Sequence, residues 1–129
     1  MLFWIAAVLG LYFAQLFIPS LFRMVQPEVG LLRYVGSRDN LPPLSSVGGR
    51  SERAVRNLAE SLPFFLTTGI LTIVLGRGTD FGVLGAQIFF WGRLGYLALY
   101  LAAIPWIRSI VWTAAFAGIV VMAWPLAMA

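Results

Sequence analysis

The side chains able to do chemistry are few in kind. The chain has no Cys, no His and no Lys, and its nine basic residues are all Arg. Thiol nucleophiles, disulfides, the usual zinc sites and imidazole acid–base chemistry are therefore excluded. Schiff-base and P-loop lysine chemistry are excluded too. What remains is concentrated in the run Arg50-Ser-Glu-Arg-Ala-Val-Arg-Asn-Leu-Ala-Glu-Ser-Leu-Pro-Phe-Phe. Arg53, Asn57 and Glu60 fall at i, i+4 and i+7, so a helix places all three on one face. Arg56 lies beside them, and Arg50 continues the stripe one turn earlier. A second stripe follows at Arg93, Tyr96 and Tyr100, spaced i, i+3 and i+7, and Arg108 comes later still.

These residues need elements that hold them. The chain has 129 residues, of which 60% are hydrophobic and 11% charged, with a mean hydropathy of +0.89. A soluble domain carries about 25% charged residues. The composition excludes a soluble globular domain and a disordered chain, and points to an integral membrane protein. A spanning helix takes roughly 20 mostly apolar residues. Four candidates meet this length: Met1 to Phe22, about Glu52 to Leu75, about Phe81 to Ile104, and about Pro105 to Ala127. The first has no basic leader region and no small-residue cleavage site, so it reads as a span rather than a signal peptide. Pro105 suits a first helical turn. Gly76, Gly78 and Asp80 make a tight turn. Short connections imply an all-α, antiparallel four-helix membrane bundle in a single domain.

The one long connection, Arg23 to Arg50, holds Pro27, Gly30, Gly36, Pro42, Pro43, Gly48 and Gly49, and is expected to be largely irregular. Ser45, Ser46, Gly48 and Gly49 read as a flexible approach to the second span, or with Ser51 as a helix start. Arg23, Arg33, Arg38 and Arg50 lie in this connection, Arg53 and Arg56 follow it, and Arg108 lies near the third-to-fourth turn. The opposite side has Arg77, partly balanced by Asp80. The positive-inside rule then puts the long loop in the cytoplasm and both termini outside. The net charge of +4 is a topology signal, since no basic run interleaved with aromatics marks a nucleic-acid site.

Antiparallel packing brings Glu60 and Arg93 to similar depth, and Arg108 returns to the same end. One reading is structural, with Glu60 and Arg93 neutralising each other. But Arg50, Arg53, Arg56, Arg93 and Arg108 outnumber Glu52 and Glu60. Ionisable groups within a span normally face a protein interior or cavity, and excess Arg suits an anionic ligand. Trp4 and Trp124 read as anchors at the outer interface and Trp106 at the inner one. Gly10, Gly69, Gly92, Gly95 and Gly118 read as close-packing positions. Pro63 is expected to kink or loosen its helix.

The run Arg53-Ala-Val-Arg-Asn57-Leu-Ala-Glu60-Ser-Leu-Pro63-Phe resembles the second-helix signature of the MAPEG superfamily, the membrane-associated proteins in eicosanoid and glutathione metabolism. Arg93-x-x-Tyr96-x-x-x-Tyr100 is similar to that family's third helix, and Arg108-Ser109 to its fourth-helix start. Gly36-Ser-Arg-Asp-Asn-Leu-Pro42 and Gly49-Arg50 resemble the loop of a bacterial branch. The resemblance implies a homotrimer in a bacterial inner membrane, with glutathione as co-substrate between subunits near the cytoplasmic face. It implies glutathione contacts from Arg50, Arg53, Asn57, Glu60, Arg93 and Tyr100, and thiol activation by Arg108 with Tyr96. The implied function is a glutathione-dependent transferase or peroxidase acting on lipophilic small molecules or lipids. The alternative is a non-catalytic accessory or scaffold subunit of a larger membrane complex, since one branch of the family binds rather than catalyses. The physical logic is consistent: a free thiol has a pKa near about 8.5, and an adjacent guanidinium favours its thiolate.

Overall fold

The computed structural model describes residues 1–37, 39–78 and 80–128. Arg38, part of the expected basic loop, lies outside the described residues. Four long helices carry the fold: α1 (Leu2–Met24), α3 (Ser46–Val74), α4 (Asp80–Leu101) and α5 (Pro105–Ala127), with a short α2 (Gly30–Val35) between the first two. Long apolar runs set the lengths of α1 and α5, and local signals set helix ends. Gly76 adopts φ +64° in the turn that ends α3, and Pro105 occupies the first turn of α5.

Two differences from the sequence reading bear on the site. Helix α3 begins at Ser46 rather than near Glu52. The segment read as a flexible approach is helical, because the Ser45 hydroxyl caps it by accepting from the Gly48 amide at 3.1 Å. Helix α3 then continues through Pro63 to Val74, 29 residues in all. The second difference is in the long connection, which contains α2 and is held by side-chain bonds to backbone. Arg23 Nη1 donates to the Pro42 carbonyl at 2.9 Å and Gln26 Nε2 to the Pro43 carbonyl at 3.1 Å.

Helices α1, α3 and α5 are each long and apolar enough to cross a membrane. Helix α4 is 22 residues long, but Asp80, Gln87, Arg93 and its four glycines dilute its apolar character. Of these polar groups Arg93 faces inward, 1% exposed, while Asp80 at the helix start is exposed. The large apolar side chains that face outward include Phe3, Phe13, Phe64, Ile110 and Val120. Exposed apolar surface on this scale needs a lipid or protein partner.

The core sits where the four helices meet. Ile5, Val8, Leu58, Phe65, Ala86, Phe89, Ala115, Ile119 and Met122 form one buried cluster. Phe65 and Phe89 stack with ring centroids 4.5 Å apart. Trp4, expected as an interfacial anchor, packs against this cluster with its ring 5.6 Å from that of Phe90. Helices α4 and α5 approach most closely. A Cβ on Gly85 would lie 2.5 Å from the Gly118 carbonyl oxygen, and one on Gly92 2.8 Å from the Ala115 Cβ. Gly10, expected as a packing position, faces open space within the protomer.

Candidate functional site

The two polar stripes converge at the end of the bundle where α3 begins, α4 ends and α5 begins. Arg93 reaches from α4 to α3, where its Nη1 donates to Asn57 Oδ1 at 2.6 Å. The same oxygen accepts from Trp112 Nε1 on α5 at 3.0 Å. One carboxamide thus ties three helices together. The antiparallel register pairs Arg93 with Asn57, one turn before Glu60. Glu60 is exposed on the surface of α3 and forms no ion pair with Arg93.

Around this network the Arg93 guanidinium is enclosed by aromatic rings. Its Cζ lies 5.2 Å from the Phe89 centroid, 5.8 Å from Tyr96 and 5.9 Å from Phe116. Ring faces stabilise a cation modestly and do not satisfy its N–H donors. Arg93 Nε and Nη2 are buried without hydrogen-bond partners. A buried unpaired charge of this kind is costly, so its persistence needs a reason.

Closer to the surface, Arg53 Nε donates to the Tyr100 hydroxyl at 3.1 Å. Since that oxygen accepts, its own proton remains available to donate elsewhere. The α4–α5 turn, with Ala103 at φ +61°, brings Arg108 back over the Tyr100 ring, its Cζ 4.4 Å from the centroid. Tyr96 and Tyr100 lie 5.3 Å apart, centroid to centroid. Asn57, Tyr96, Arg108, Ser109, Trp112 and Thr113 line a groove of about 400 Å³. A larger recess, about 530 Å³, lies between the end of α1 and the Asn40–Leu44 segment. Its Arg23 and Tyr34 already bond Pro42 and Ser20, which leaves it fewer free donors.

The structure therefore brings together Arg53, Asn57, Arg93, Tyr96, Tyr100 and Arg108. It does not bring in Arg50, whose Nε is buried without a partner on α3, or the exposed Glu60 and Arg56. Sequence reasoning missed Trp112. The signal was present: Trp112 is one turn beyond Arg108 on the same helical face, and an indole N–H inside a span needs an acceptor.

Searches of curated proteins and of solved structures gave no match. The family model of MAPEG matches residues 1–128, nearly the whole chain. With three helices apolar enough to span a membrane and a polar cluster at one end of an apolar bundle, the chain is an integral membrane protein that belongs to the MAPEG family.

Proposed function

We propose that the protein is a glutathione-dependent transferase or peroxidase for lipophilic electrophiles. It would work as a homotrimer of four-span protomers in a bacterial inner membrane, with the α1–α3 connection cytoplasmic and both termini outside. The observation that carries this reading is the cationic cluster at one end of the bundle: Arg53 bonded to Tyr100, Arg108 held over the Tyr100 ring, and an apolar core beyond.

The donor set suits glutathione, which has two carboxylates and one ammonium. Arg93 is enclosed within the protein, so it would act on a bound carboxylate through its charge and through the Asn57 it holds. Arg53 and Arg108 supply further positive charge, and Arg50 and Glu60 remain candidates to complete the site. When bound, glutathione supplies the nucleophilic thiol that this chain lacks. Arg108 and Tyr96 are the residues we assign to the sulfur's surroundings. A guanidinium there favours thiolate and cannot itself lose its proton, and a phenol hydroxyl adds a donor.

The exposed charges on α3 support a neighbouring protomer on this face. Glu60 is 14 residues from the end of α3 at Val74, on the order of 20 Å along the axis. That depth is inside a hydrocarbon layer about 30 Å thick, where a lipid-facing carboxylate is costly. A neighbouring protomer covering this face would remove the cost, and glutathione would then lie between subunits. Lipophilic substrates would then enter sideways from the bilayer, and glutathione from the cytoplasm.

The test is calorimetric titration of the purified protein with glutathione, followed by a conjugation assay. Binding in the millimolar range or tighter is expected, with activity lost in an Arg53→Ala, Arg108→Ala double variant. Absence of binding at millimolar glutathione, or full activity in that variant, refutes the reading. One observation favours a second reading, a non-catalytic scaffold subunit: Arg93, Asn57 and Trp112 are already engaged in fastening helices. Native mass spectrometry separates the two, since a scaffold copurifies with a larger complex and a self-sufficient enzyme forms a homotrimer.

A further inference from the structure

Asn57 is set one way round by its neighbours. Both groups on its Oδ1, the Arg93 guanidinium and the Trp112 indole, carry N–H donors and no acceptor. Turning the carboxamide over would place its NH2 against both, donor against donor, and lose two bonds in a low-dielectric interior. The Asn57 Nδ2 is then the uncommitted end of the side chain. It has no hydrogen bond to any described residue, and it is not sealed from solvent. Asn57 also lines the groove, together with Tyr96, Arg108 and Trp112.

We infer that Trp112 is a positioning residue: with Arg93 it fixes Asn57 as a donor toward the groove. The groove therefore selects an acceptor at this point, a carboxylate or a peptide carbonyl. An asparagine free to rotate would accept or donate with equal ease and discriminate neither. This inference rests on the glutathione reading above, since glutathione offers both kinds of acceptor. It goes further in giving a direction to the Asn57 contact and to Trp112 a role exerted through Asn57.

Trp112 lines the groove itself, so a direct contact must be separated from action through Asn57. A double-mutant cycle does this. Glutathione affinity is measured by calorimetry for the parent protein, Trp112→Phe, Asn57→Ala and the double variant. The Phe keeps the ring and removes the N–H. One neutral hydrogen bond lost should weaken binding about threefold in Trp112→Phe and about tenfold in Asn57→Ala. If Trp112 acts through Asn57, the double variant binds no more weakly than Asn57→Ala. Asn57→Asp is the second arm. Its carboxylate accepts from both Arg93 and Trp112 but presents no N–H, so its melting temperature should match the parent while its affinity falls to the level of Asn57→Ala.

Additive losses, about thirtyfold in the double variant, overturn the inference and leave the glutathione reading standing. So does parent-like affinity in Asn57→Asp. Absence of glutathione binding by the parent protein overturns both.

Discussion

The crossing of α4 and α5 invites a quantitative test, because glycine there is required by contact distance. A Cβ built on Gly85 lies 2.5 Å from the Gly118 carbonyl oxygen and 2.5 Å from the Met122 amide nitrogen. On Gly118 it lies 2.7 Å from the Gly85 oxygen and 2.8 Å from the Phe89 nitrogen. All four neighbours are backbone and cannot swing aside. To restore ordinary contact, which begins at 3.4 Å, the helices must separate by roughly 1 Å. A gap of that size forfeits about a quarter to a half of the local dispersion attraction. In a bilayer, packing of this kind is the main force holding helices together, since lipid tails are as apolar as the side chains. Overpacking costs about 1–3 kcal/mol in compact interiors, and two backbone clashes at one crossing place Gly85→Ala at the upper end. The gain in helix propensity returns about 1 kcal/mol. A net loss of about 1–2 kcal/mol is therefore expected for Gly85→Ala, and slightly less for Gly118→Ala. Gly10→Ala is the internal control: nothing lies within 4 Å of its Cβ, so it should be neutral or stabilising by up to about 1 kcal/mol. The assay is unfolding in mixed micelles by added denaturing detergent, followed by circular dichroism. If all three variants unfold together, the reasoning from contact distance fails.

Two further expectations concern the site and its supporting helix. Tyr100→Phe removes the acceptor for Arg53 Nε and keeps the ring under Arg108. Glutathione affinity should fall about three- to tenfold with little change in melting temperature, and parent-like affinity would take the hydroxyl out of the site. Ser45→Ala removes the cap on the Gly48 amide and should cost about 1 kcal/mol. Unchanged unfolding would show that the cap contributes nothing to the start of α3.

The polar stripes were legible because helical periodicity is a local property. Arg53, Asn57 and Glu60 had to share a face once the segment was helical, and Arg93, Tyr96 and Tyr100 likewise. The pairing between stripes was not legible. It depends on the axial offset of α3 against α4, and a shift of one turn moves Arg93 from Glu60 to Asn57 without changing either periodicity. Arg108 illustrates the same limit. Its distance from Tyr100 along the chain says little, whereas the backbone of the intervening turn brings its guanidinium 4.4 Å from the ring. The packing of Trp4 was not legible for a related reason: its contact with Phe90 on α4 depends on how the helices meet.

By itself, the sequence determined that this is a membrane protein without thiol, imidazole or amine chemistry of its own, and that its few charges gather on particular helical faces. Composition and spacing settle such things because burial in lipid and helix geometry act on each segment separately. Tertiary structure alone decided which donors meet which acceptor. A single Asn57 oxygen shared by α4 and α5, two unpartnered nitrogens on Arg93, and glycines pressed to backbone contact are all relations between helices. They are fixed by how closely and at what offset the helices pack, and no single segment carries that information.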